Sequence, residues 1–375
     1  MVRSDGGYAS RVHLPGAILR KLVWLASLVA SASYAFKLEP LAPVHESLTL
    51  ASLRCANSQG NVSPDAIECL PAHLNFMRTR AAFRKLDDAD FTSLFEGVLW
   101  ADAPDRRSLP DKLEKFTVCD RHVKSTVYGP YTNKMCASHF GNLQMLHAMK
   151  PARPWCAQHP EEPTCKLADD ELFPQFVRWL AQLALIETSP QTPLTQVGGE
   201  RFFVTELGGT EQTLFSVFGV DCGRAHAPGK CFMVADTFDA ARLSRIATGV
   251  LLHIIQDSFS RAHAAREGDT VEGTPDDCNV ARISCGPILQ WNDYGAQSSG
   301  KHSQADAPPL WAPNCLPPRR AGTVVDPITA GARVLRFVER NKGKTDQVEA
   351  LMKLVLSVVT LPTGGAAPDA ACFAK

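Results

Sequence analysis

Three potential metal ligands lie among the apolar side chains of the segment LLHIIQDSFSRAHAAR, which spans residues 251–266. They are His253, Asp257 and His263. A buried polar group needs a partner, and a neutral imidazole beside a carboxylate is a typical ligand pair for a transition-metal ion. His253 and Asp257 are four residues apart, which places both on one face of a helix. The segment therefore predicts a metal site.

His263 argues against a single ion. On a straight helix its side chain would be rotated by roughly 80–120° from the other two ligands. Two or more ions in a cleft along the helix, with Asp257 between them, fit this spacing better. The plainer alternative for each histidine is a buried core residue with an ordinary hydrogen-bond partner.

A second pair follows downstream, where His302 and Asp306 in KHSQAD repeat the four-residue spacing of His253 and Asp257. An isolated pair of this kind is common and carries little information. Placed after the first block, it supplies the partners that His263 requires.

The two blocks together resemble the zinc-dependent phospholipases C and the related three-zinc, single-strand-specific nucleases. The order of the ligands matches, as does the spacing of the first block. The resemblance implies a secreted, mostly α-helical enzyme that hydrolyses phosphate esters with three zinc ions. In that arrangement Asp257 bridges two ions, one of which His253 also binds, while His263, His302 and Asp306 bind the remaining ion.

The resemblance implies two more ligands upstream, an aspartate and then a histidine. Asp102, in the segment WAD, resembles the Trp-x-Asp segment of the nucleases, and His139, in SHFGN, resembles the His-aromatic ligand segment. The separation of 37 positions between them exceeds the family spacing, and an excursion between two cysteines would account for the excess. The competing candidates for these two positions are Asp105, Asp120, His122 and His147.

The last ligands implied by the resemblance are the mature N-terminus and a nearby histidine. Cleavage after Ala35 would make Phe36 the first residue, which would bind metal through its backbone amine and carbonyl, with His45 nine residues further on. The plainer interpretation of His45 is a helix N-terminal position beside Glu46.

The implied chemistry is attack on phosphorus by a water that clustered dications activate. Asp102 would be the catalytic residue that orients this water or takes its proton. Arg261 and Arg266 border the site and could contact phosphate, although solvated helix charges are the plainer interpretation.

The choice between a phospholipase and a nuclease rests on the residues that flank the predicted ligands. The nucleases usually have Pro-Leu before the third ligand and Gly-Gly-Asn soon after it, whereas here Arg261 and Ala262 precede His263. This departure favours a phospholipase C, which would make transient contact with a membrane surface. Against that, Asp306 stands where phospholipases more often have glutamate. A three-zinc nuclease is therefore one alternative, and a non-catalytic, secreted, metal- and disulfide-stabilised binding protein is another.

The charge balance disfavours duplex nucleic acid as a partner. The whole chain has a formal net charge of zero, and without residues 1–35 it has 39 − 4 = 35 basic and 39 − 1 = 38 acidic residues, a net charge of −3. Proteins that bind duplex phosphates are usually basic. A phospholipid or another phosphoester is the expected substrate, and no obligate protein partner is implied.

Residues 1–35 have the features of a signal peptide. Arg20 and Lys21 precede the apolar run LVWLASLVASA, and SYA provides a small-x-small cleavage site. The run is too short to span a bilayer as a helix. The expected mature protein is therefore a single phosphoesterase-like domain, residues 36–375, that is secreted or periplasmic.

Twelve cysteines agree with an oxidising compartment and suggest disulfides, whose connectivity the sequence leaves open. Sequential pairing would join Cys55 to Cys69, Cys119 to Cys136, Cys156 to Cys165, Cys222 to Cys231, Cys278 to Cys285, and Cys315 to Cys372.

Apolar spacing predicts a mainly α, multi-helix single domain of the phospholipase C and nuclease type. The predicted helices are residues 45–54, 76–101, 138–149, 169–187, 237–265, 326–341 and 345–360. The run RFFVTELGGTEQTLFSVFGV predicts a small hairpin bent at Gly208-Gly209, and residues 266–323 a long connection pinned by disulfides.

Overall fold

The computed structural model describes residues 44–69, 89–102, 138–139, 144–149, 169–188, 220–221, 231–233, 236–267, 282–292, 294, 297, 302, 305–306, 310–311 and 324–359. Phe36, the predicted signal peptide and the predicted turn at Gly208-Gly209 lie outside these residues. No helix in the described ranges is long and apolar enough to cross a membrane.

The described part of the chain is mainly α-helical. Its helices are α1 (Val44–Ser58), α2 (Ala89–Trp100), α3 (Asp169–Ala184), α4 (Ala240–Asp257), α5 (Pro327–Asn341) and α6 (Val348–Leu356), with short 3₁₀ helices at Pro64–Ala66, Gln144–His147 and Thr345–Gln347. The strands are β1 (Val220–Asp221), β2 (Cys231–Met233), β3 (Asp236–Phe238), β4 (Ala264–Arg266), β5 (Arg282–Ile283), β6 (Ile288–Trp291) and β7 (Leu310–Trp311).

The strands form three small sheets. β1, β2 and β3 pair in that order as an antiparallel sheet just before α4. β4 pairs antiparallel with β6, with a register shift between Ala265 and Arg266, and β5 pairs parallel with β7. β4–β7 all fall within the predicted connection of residues 266–323 or at its edge. That connection therefore carries short strands in its described parts.

The central helix α4 is shorter at both ends than the predicted helix of residues 237–265. It begins after Asp239, whose carboxylate accepts a hydrogen bond from the Arg242 backbone N–H at 2.7 Å. It ends at Asp257, because Ser258 caps it and the chain continues through turns into β4. The Ser258 hydroxyl donates to the Ile255 carbonyl at 2.6 Å, a local bond that favours helix ends. His263 is therefore in a turn, and the straight-helix rotation predicted for it was wrong.

α4 is the core of the fold, and its apolar side chains are buried around most of its circumference. It packs against α2, α3 and α5, and the large buried rings of Phe176 and Trp179 lie in the same apolar cluster. From Ile246 to Asp257 every residue of α4 is buried, so this part of the helix presents no solvent face. Any polar side chain on it must therefore find its partners inside the protein.

The backbones of α2 and α4 approach closely at Gly97 and Gly249. A Cβ atom on Gly97 would lie 2.1 Å from the Ile246 carbonyl oxygen, and one on Gly249 would lie 2.2 Å from the Leu94 carbonyl oxygen. Only glycine fits at such separations. The contact fixes the end of α2, which Asp102 follows, against the part of α4 that carries His253.

α1 packs against α5, and a disulfide closes the chain segment after it. Cys55 and Cys69 are bonded, with their Cα atoms 5.8 Å apart, as sequential pairing predicts. The Cys69 backbone N–H donates to the Thr329 hydroxyl at 3.0 Å, which ties this segment to the start of α5. Cys285 is also disulfide-bonded. The remaining predicted pairs each include at least one cysteine outside the described residues.

Arg266 is buried, which overturns both interpretations that the sequence suggested for it. Its guanidinium donates to the Ser258 carbonyl and hydroxyl, the Gly286 carbonyl and the Val358 carbonyl, each at 2.9 Å, and lies 4.1 Å from the centre of the Phe259 ring. One side chain thus joins the end of α4, the turn before β6 and the segment after α6. Arg261 is buried as well.

We expect Gly249→Ala to destabilise the protein by about 1–3 kcal/mol or more, because the added methyl group must displace the α2 backbone. Urea unfolding followed by circular dichroism measures this loss. The matched control is Gln175→Ala on the exposed face of α3, which should change the free energy of unfolding by less than about 0.5 kcal/mol. Equal stability of the two variants would contradict the close approach of α2 and α4.

Candidate metal centre

Nine buried side chains converge at the C-terminal end of α4. They form four overlapping groups of three, in each of which the ligand atoms lie within 4.8 Å of one another. The set comprises six histidines and three aspartates: His45, Asp102, His139, His147, His253, Asp257, His263, His302 and Asp306. Such a concentration of imidazole and carboxylate in a protein interior is typical of a metal site.

Asp257 is at the centre of the cluster, and four histidines surround its carboxylate. Oδ2 lies 2.8 Å from His253 Nε2, 2.9 Å from His147 Nδ1 and 3.4 Å from His263 Nδ1. Oδ1 lies 3.2 Å from His45 Nε2. The contact with His253 is the i, i+4 pair that the sequence predicts.

Asp102 lies two residues after the end of α2 and faces two groups of histidines. Its Oδ1 lies 3.7 Å from His147 Nδ1 and 4.0 Å from His139 Nε2. Its Oδ2 lies 3.9 Å from His45 Nε2, and the His45 ring stacks on that of His253 with centroids 4.1 Å apart. Asp102, His45 and His253 form one of the four groups.

The last group lies beyond the end of α4. His263 Nε2 is 3.7 Å from Asp306 Oδ1, and His302 Nε2 is 3.1 Å from Asp306 Oδ2. The Ser260 hydroxyl donates to Asp306 Oδ1 at 2.6 Å and so orients this carboxylate. The turn after Asp257 brings His263 to this group. None of the four groups contains His253, Asp257 and His263 together, in agreement with the expected multinuclear arrangement.

Hydrogen bonds on the far side of the rings orient the histidines. The Nδ1–H of His253 donates to the Val98 carbonyl at 2.6 Å, and that of His263 donates to the His147 carbonyl at 2.7 Å. Because a carbonyl only accepts, Nδ1 carries the proton and Nε2 keeps its lone pair for a ligand. Partners of this kind typically fix a metal-binding histidine.

Two glutamine side chains orient the rings of His45 and His302. Gln256 Oε1 accepts from His45 Nδ1 at 2.7 Å, and Gln297 Oε1 accepts from His302 Nδ1 at 2.7 Å. Each amide is itself anchored: Gln256 Nε2 donates to the Thr49 hydroxyl at 2.8 Å, and Gln297 Nε2 donates to the Ala262 carbonyl at 2.6 Å. Sequence reasoning did not identify either glutamine.

Several ligand atoms in the cluster are buried and make no hydrogen bond within the described residues. They are both carboxylate oxygens of Asp102, Asp257 Oδ1, His147 Nε2, His263 Nε2, His302 Nε2 and Asp306 Oδ2. Leaving buried polar atoms unsatisfied costs about 1–3 kcal/mol each. Bound cations would satisfy these atoms, so the residues fit a metal cluster.

The electrostatics prepare the central residues for a cation. Burial lowers the pKa of His253 to about 3 and that of His263 to about 4, so both rings are neutral near pH 7. Burial opposes ionisation of Asp257, but His253, His263 and His45 outweigh it and hold the pKa of this carboxyl well below its usual range.

The pKa values of His45 and Asp102 are both raised, so a metal ion must compete with protons for these two side chains. Burial disfavours the charged form of His45, but the Asp257 and Asp102 carboxylates outweigh it and raise its pKa to about 9. Burial raises the pKa of Asp102 well above its usual range, and the neighbouring Asp257 and Asp306 raise it further.

The structure brings together every predicted ligand except Phe36, which lies outside the described residues. Of the competing candidates, Asp105, Asp120 and His122 also lie outside them. His147 lies inside the cluster together with Asp102 and His139, so it accompanies these residues instead of replacing one of them. One structural signal marks this position: the next residue, Ala148, has a left-handed backbone with φ of 49°. Strained backbone often occurs at functional sites.

In comparisons with known proteins, no family model, no curated protein and no solved structure matches this chain.

We expect Gln297→Ala to weaken metal binding by about 10–100-fold, because His302 loses the acceptor that orients its ring. Competition with a chromogenic chelator measures the affinity. Gln297→Glu is the comparison variant: it keeps an oxygen acceptor for His302 but loses the amide donor to the Ala262 carbonyl, so its affinity should lie between those of the wild type and the alanine variant. An alanine variant that binds metal as tightly as the wild type would show that Gln297 does not position His302.

Metal uptake by the metal-free protein should release a proton at pH 7, since His45 is protonated there and must lose its proton to bind. Affinity should therefore rise with pH and level off near the His45 pKa of about 9. Titration calorimetry in buffers of different ionisation enthalpy counts the protons. His45→Gln should release about one proton fewer. Uptake without proton release would contradict this protonation state.

Proposed function

We propose that this protein is a metal-dependent phosphoester hydrolase of the phospholipase C type. The observation that carries the proposal is the buried cluster of six histidines and three aspartates, with carboxylate oxygens that lack hydrogen bonds within the described residues. One structural ion would need only about four ligands. A cluster of nine is suited to several ions held side by side, and such sites commonly hydrolyse phosphate esters.

We propose zinc as the metal and three as the number of ions. Imidazole nitrogens outnumber carboxylates in the cluster, a donor set that suits zinc better than magnesium or calcium, which prefer oxygen. The order of ligands from His253 to Asp306 supports three ions through the resemblance to zinc phospholipases C. The same resemblance and the apolar N-terminal run support secretion or export to a periplasm.

Bound zinc ions would supply Lewis acidity, which lowers the pKa of a water and stabilises charge on a phosphoryl group. Within the protein, Asp102 has the position and the protonation behaviour of an acid–base group. Both of its oxygens are buried without hydrogen bonds to described residues, and burial raises the pKa of its carboxyl. Asp102 would orient the attacking water or take its proton at one carboxylate oxygen. Ser260 and Gln297 orient Asp306 and His302, which would hold the ion that they share with His263.

A phospholipid is the preferred substrate, and a phospholipase C activity is therefore preferred over a nuclease activity. It is supported by Arg261-Ala262 before His263, where the nucleases have Pro-Leu, and by a net charge near zero, which gives little attraction for a polyanionic strand. The nuclease stays a second candidate, because Asp306 occupies the position at which phospholipases more often have glutamate.

The test is hydrolysis by the purified mature chain, after metal removal and after zinc is restored. We expect release of diacylglycerol from phosphatidylcholine vesicles, with loss of activity in the presence of a chelator and recovery on addition of zinc. Single-stranded DNA and RNA are the competing substrates, and preferential release of nucleotides would favour the nuclease. Fewer than two metal ions per chain, or no hydrolysis of either substrate by the zinc-loaded protein, would contradict the proposal and favour a non-catalytic protein.

Asp257→Asn should lower the rate of hydrolysis by at least about 10³-fold, because the neutral amide removes the central anionic ligand. Arg178→Gln is the control: it removes an exposed ion pair with Glu349 on the outside of α3 and should leave activity unchanged. Full activity of Asp257→Asn would refute the assignment of the site.

A further inference from the structure

We propose that a cavity among α1, α2, α4 and α5 binds a single-chain anionic amphiphile, namely a fatty-acid carboxylate. The cavity has a volume of about 450 Å³. Pockets of about 300–1,000 Å³ are the usual size for small-molecule ligands. The inference goes beyond the proposed function, and no residue of the metal cluster contributes to it.

The cavity is separate from the metal cluster. On α4 it is lined by Ser244, Arg245 and Thr248, in the first half of the helix, whereas His253 and Asp257 lie in the second half. With a rise of about 1.5 Å per residue, Arg245 and Asp257 are about 18 Å apart along the helix axis. A molecule in the cavity would therefore occupy a second site.

α1 and α5 line the cavity with the same pattern of side chains. Within residues 50–57 on α1 and 335–342 at the end of α5, four positions line it, spaced i, i+3, i+4 and i+7. This spacing is one face of a helix. On each helix the first two of these positions are apolar and the last two are polar. The cavity therefore changes from apolar to polar along both helices.

The polar ends of α1 and α5 lie together, because the two helices run in the same direction. A Cβ atom on Gly331 would meet the Ser52 hydroxyl, and one to two turns further along each helix Arg336 donates to the Ala56 carbonyl. The apolar positions of the two helices therefore share one end of the cavity, and the polar positions share the other.

α4 runs in the opposite direction and adds a base to the polar end. Gln256, near the end of α4, donates to the Thr49 hydroxyl near the start of α1. The start of α4 therefore lies toward the end of α1. Arg245, near the start of α4, lines the cavity there.

The charge of the polar end complements a carboxylate head group. Arg54, Arg245 and Lys342 line the cavity, and Glu339 is the one acid among its described lining residues, so their formal charge is 3 − 1 = +2. The Glu339 carboxylate itself lies 3.1 Å from a guanidinium nitrogen of Arg336. Arg54 and Lys342 are exposed, so the polar end faces solvent.

The apolar end suits an alkyl chain. Leu50, Leu94 and Val338 are buried there, and Leu53 and Leu335 are half-buried. A basic rim alone would fit any small anion. The apolar end is what favours an amphiphile, because each CH₂ group that it removes from water raises the affinity by about 3–4-fold.

The experiment measures the binding of octanoate, decanoate and dodecanoate to the purified, dialysed mature protein by titration calorimetry, below the concentrations at which these acids form micelles. We expect one site per chain and an affinity that rises by about 3–4-fold for each added CH₂ group. Decanol and decyltrimethylammonium are the matched ligands. The neutral alcohol should bind more weakly than decanoate, and the cation more weakly still.

Paired charge reversals locate the head group. Arg54→Glu with Lys342→Glu should weaken decanoate binding by at least about 5-fold, because two attractive charges become repulsive. Arg340→Glu with Lys353→Glu is the matched control, since it reverses the same two residue types at exposed positions outside the cavity lining. Its affinity for decanoate should stay at the wild-type level.

Leu53→Trp locates the alkyl chain, because the larger side chain fills the apolar end and should block binding. Circular dichroism checks that this variant folds; if it does not, the paired charge reversals alone decide. Equal weakening by both charge-reversed pairs would overturn the inference. So would equal affinity for decanoate, decanol and decyltrimethylammonium, or no binding of any of the three acids.

A carboxylate can also bind a metal ion, so the metal cluster is the competing location. Treatment of the protein with a chelator should leave decanoate affinity unchanged, and loss of binding would place the ligand at the metal cluster and overturn the inference. Decanoate binding by a protein that holds no metal and hydrolyses no phosphoester would support the inference and leave the proposed function to fail alone.

Discussion

The buried carboxylate of Asp257 is the constraint to which the rest of the structure is adapted. Asp257 lies on a helix whose neighbours are almost entirely apolar, where an uncompensated charge would cost several kcal/mol. Four histidines from separate parts of the chain surround it within 3.4 Å. Two of these rings, His253 and His263, are neutral near pH 7 and compensate the carboxylate only in part, while the proton on His45 is one that a bound cation would displace.

The scaffold keeps these ligands at fixed separations with little freedom to relax. Glycines at the crossing of α2 and α4 bring the two backbones into contact, so that Asp102 and His253 are positioned by main-chain packing. At the other end, Arg266 bonds the cap of α4 to two distant segments and holds the turn that carries His263. Metal-binding geometry tolerates only small displacements, and both devices act on backbone and not on flexible side chains.

The sequence predicts the local part of this site and misses the part that depends on long-range packing. His253 with Asp257 and His302 with Asp306 are i, i+4 pairs whose contact follows from helical spacing, and both pairs meet in the structure. The predicted rotation of the His263 side chain was wrong. It assumed that the helix continues with the apolar spacing past Asp257, whereas the helix ends there and Ser258 caps it. The contact of His147 with Asp257 spans 110 residues, and no local pattern announces it.

The burial of Arg266 also depends on long-range packing, and the sequence did not predict it. Arginine is usually solvated, so the sequence favours an exposed charge or a phosphate contact. Its burial depends on carbonyl acceptors at Ser258, Gly286 and Val358, which only the tertiary fold brings together. The mainly helical class was predictable because strong apolar periodicity is a local property.

The hydrogen bonds behind the histidines divide the cluster into a rigid centre and an adjustable edge. His253 and His263 are oriented by main-chain carbonyls, which no substitution can remove without moving the backbone. His45 and His302 are oriented by glutamine side chains, and the amide of each glutamine donates a hydrogen bond to a further residue. Changes in those glutamines can alter the outer ligands while the central pair keeps its geometry. A metal ion bound at the centre should therefore be less sensitive to mutation than one bound by His45 or His302.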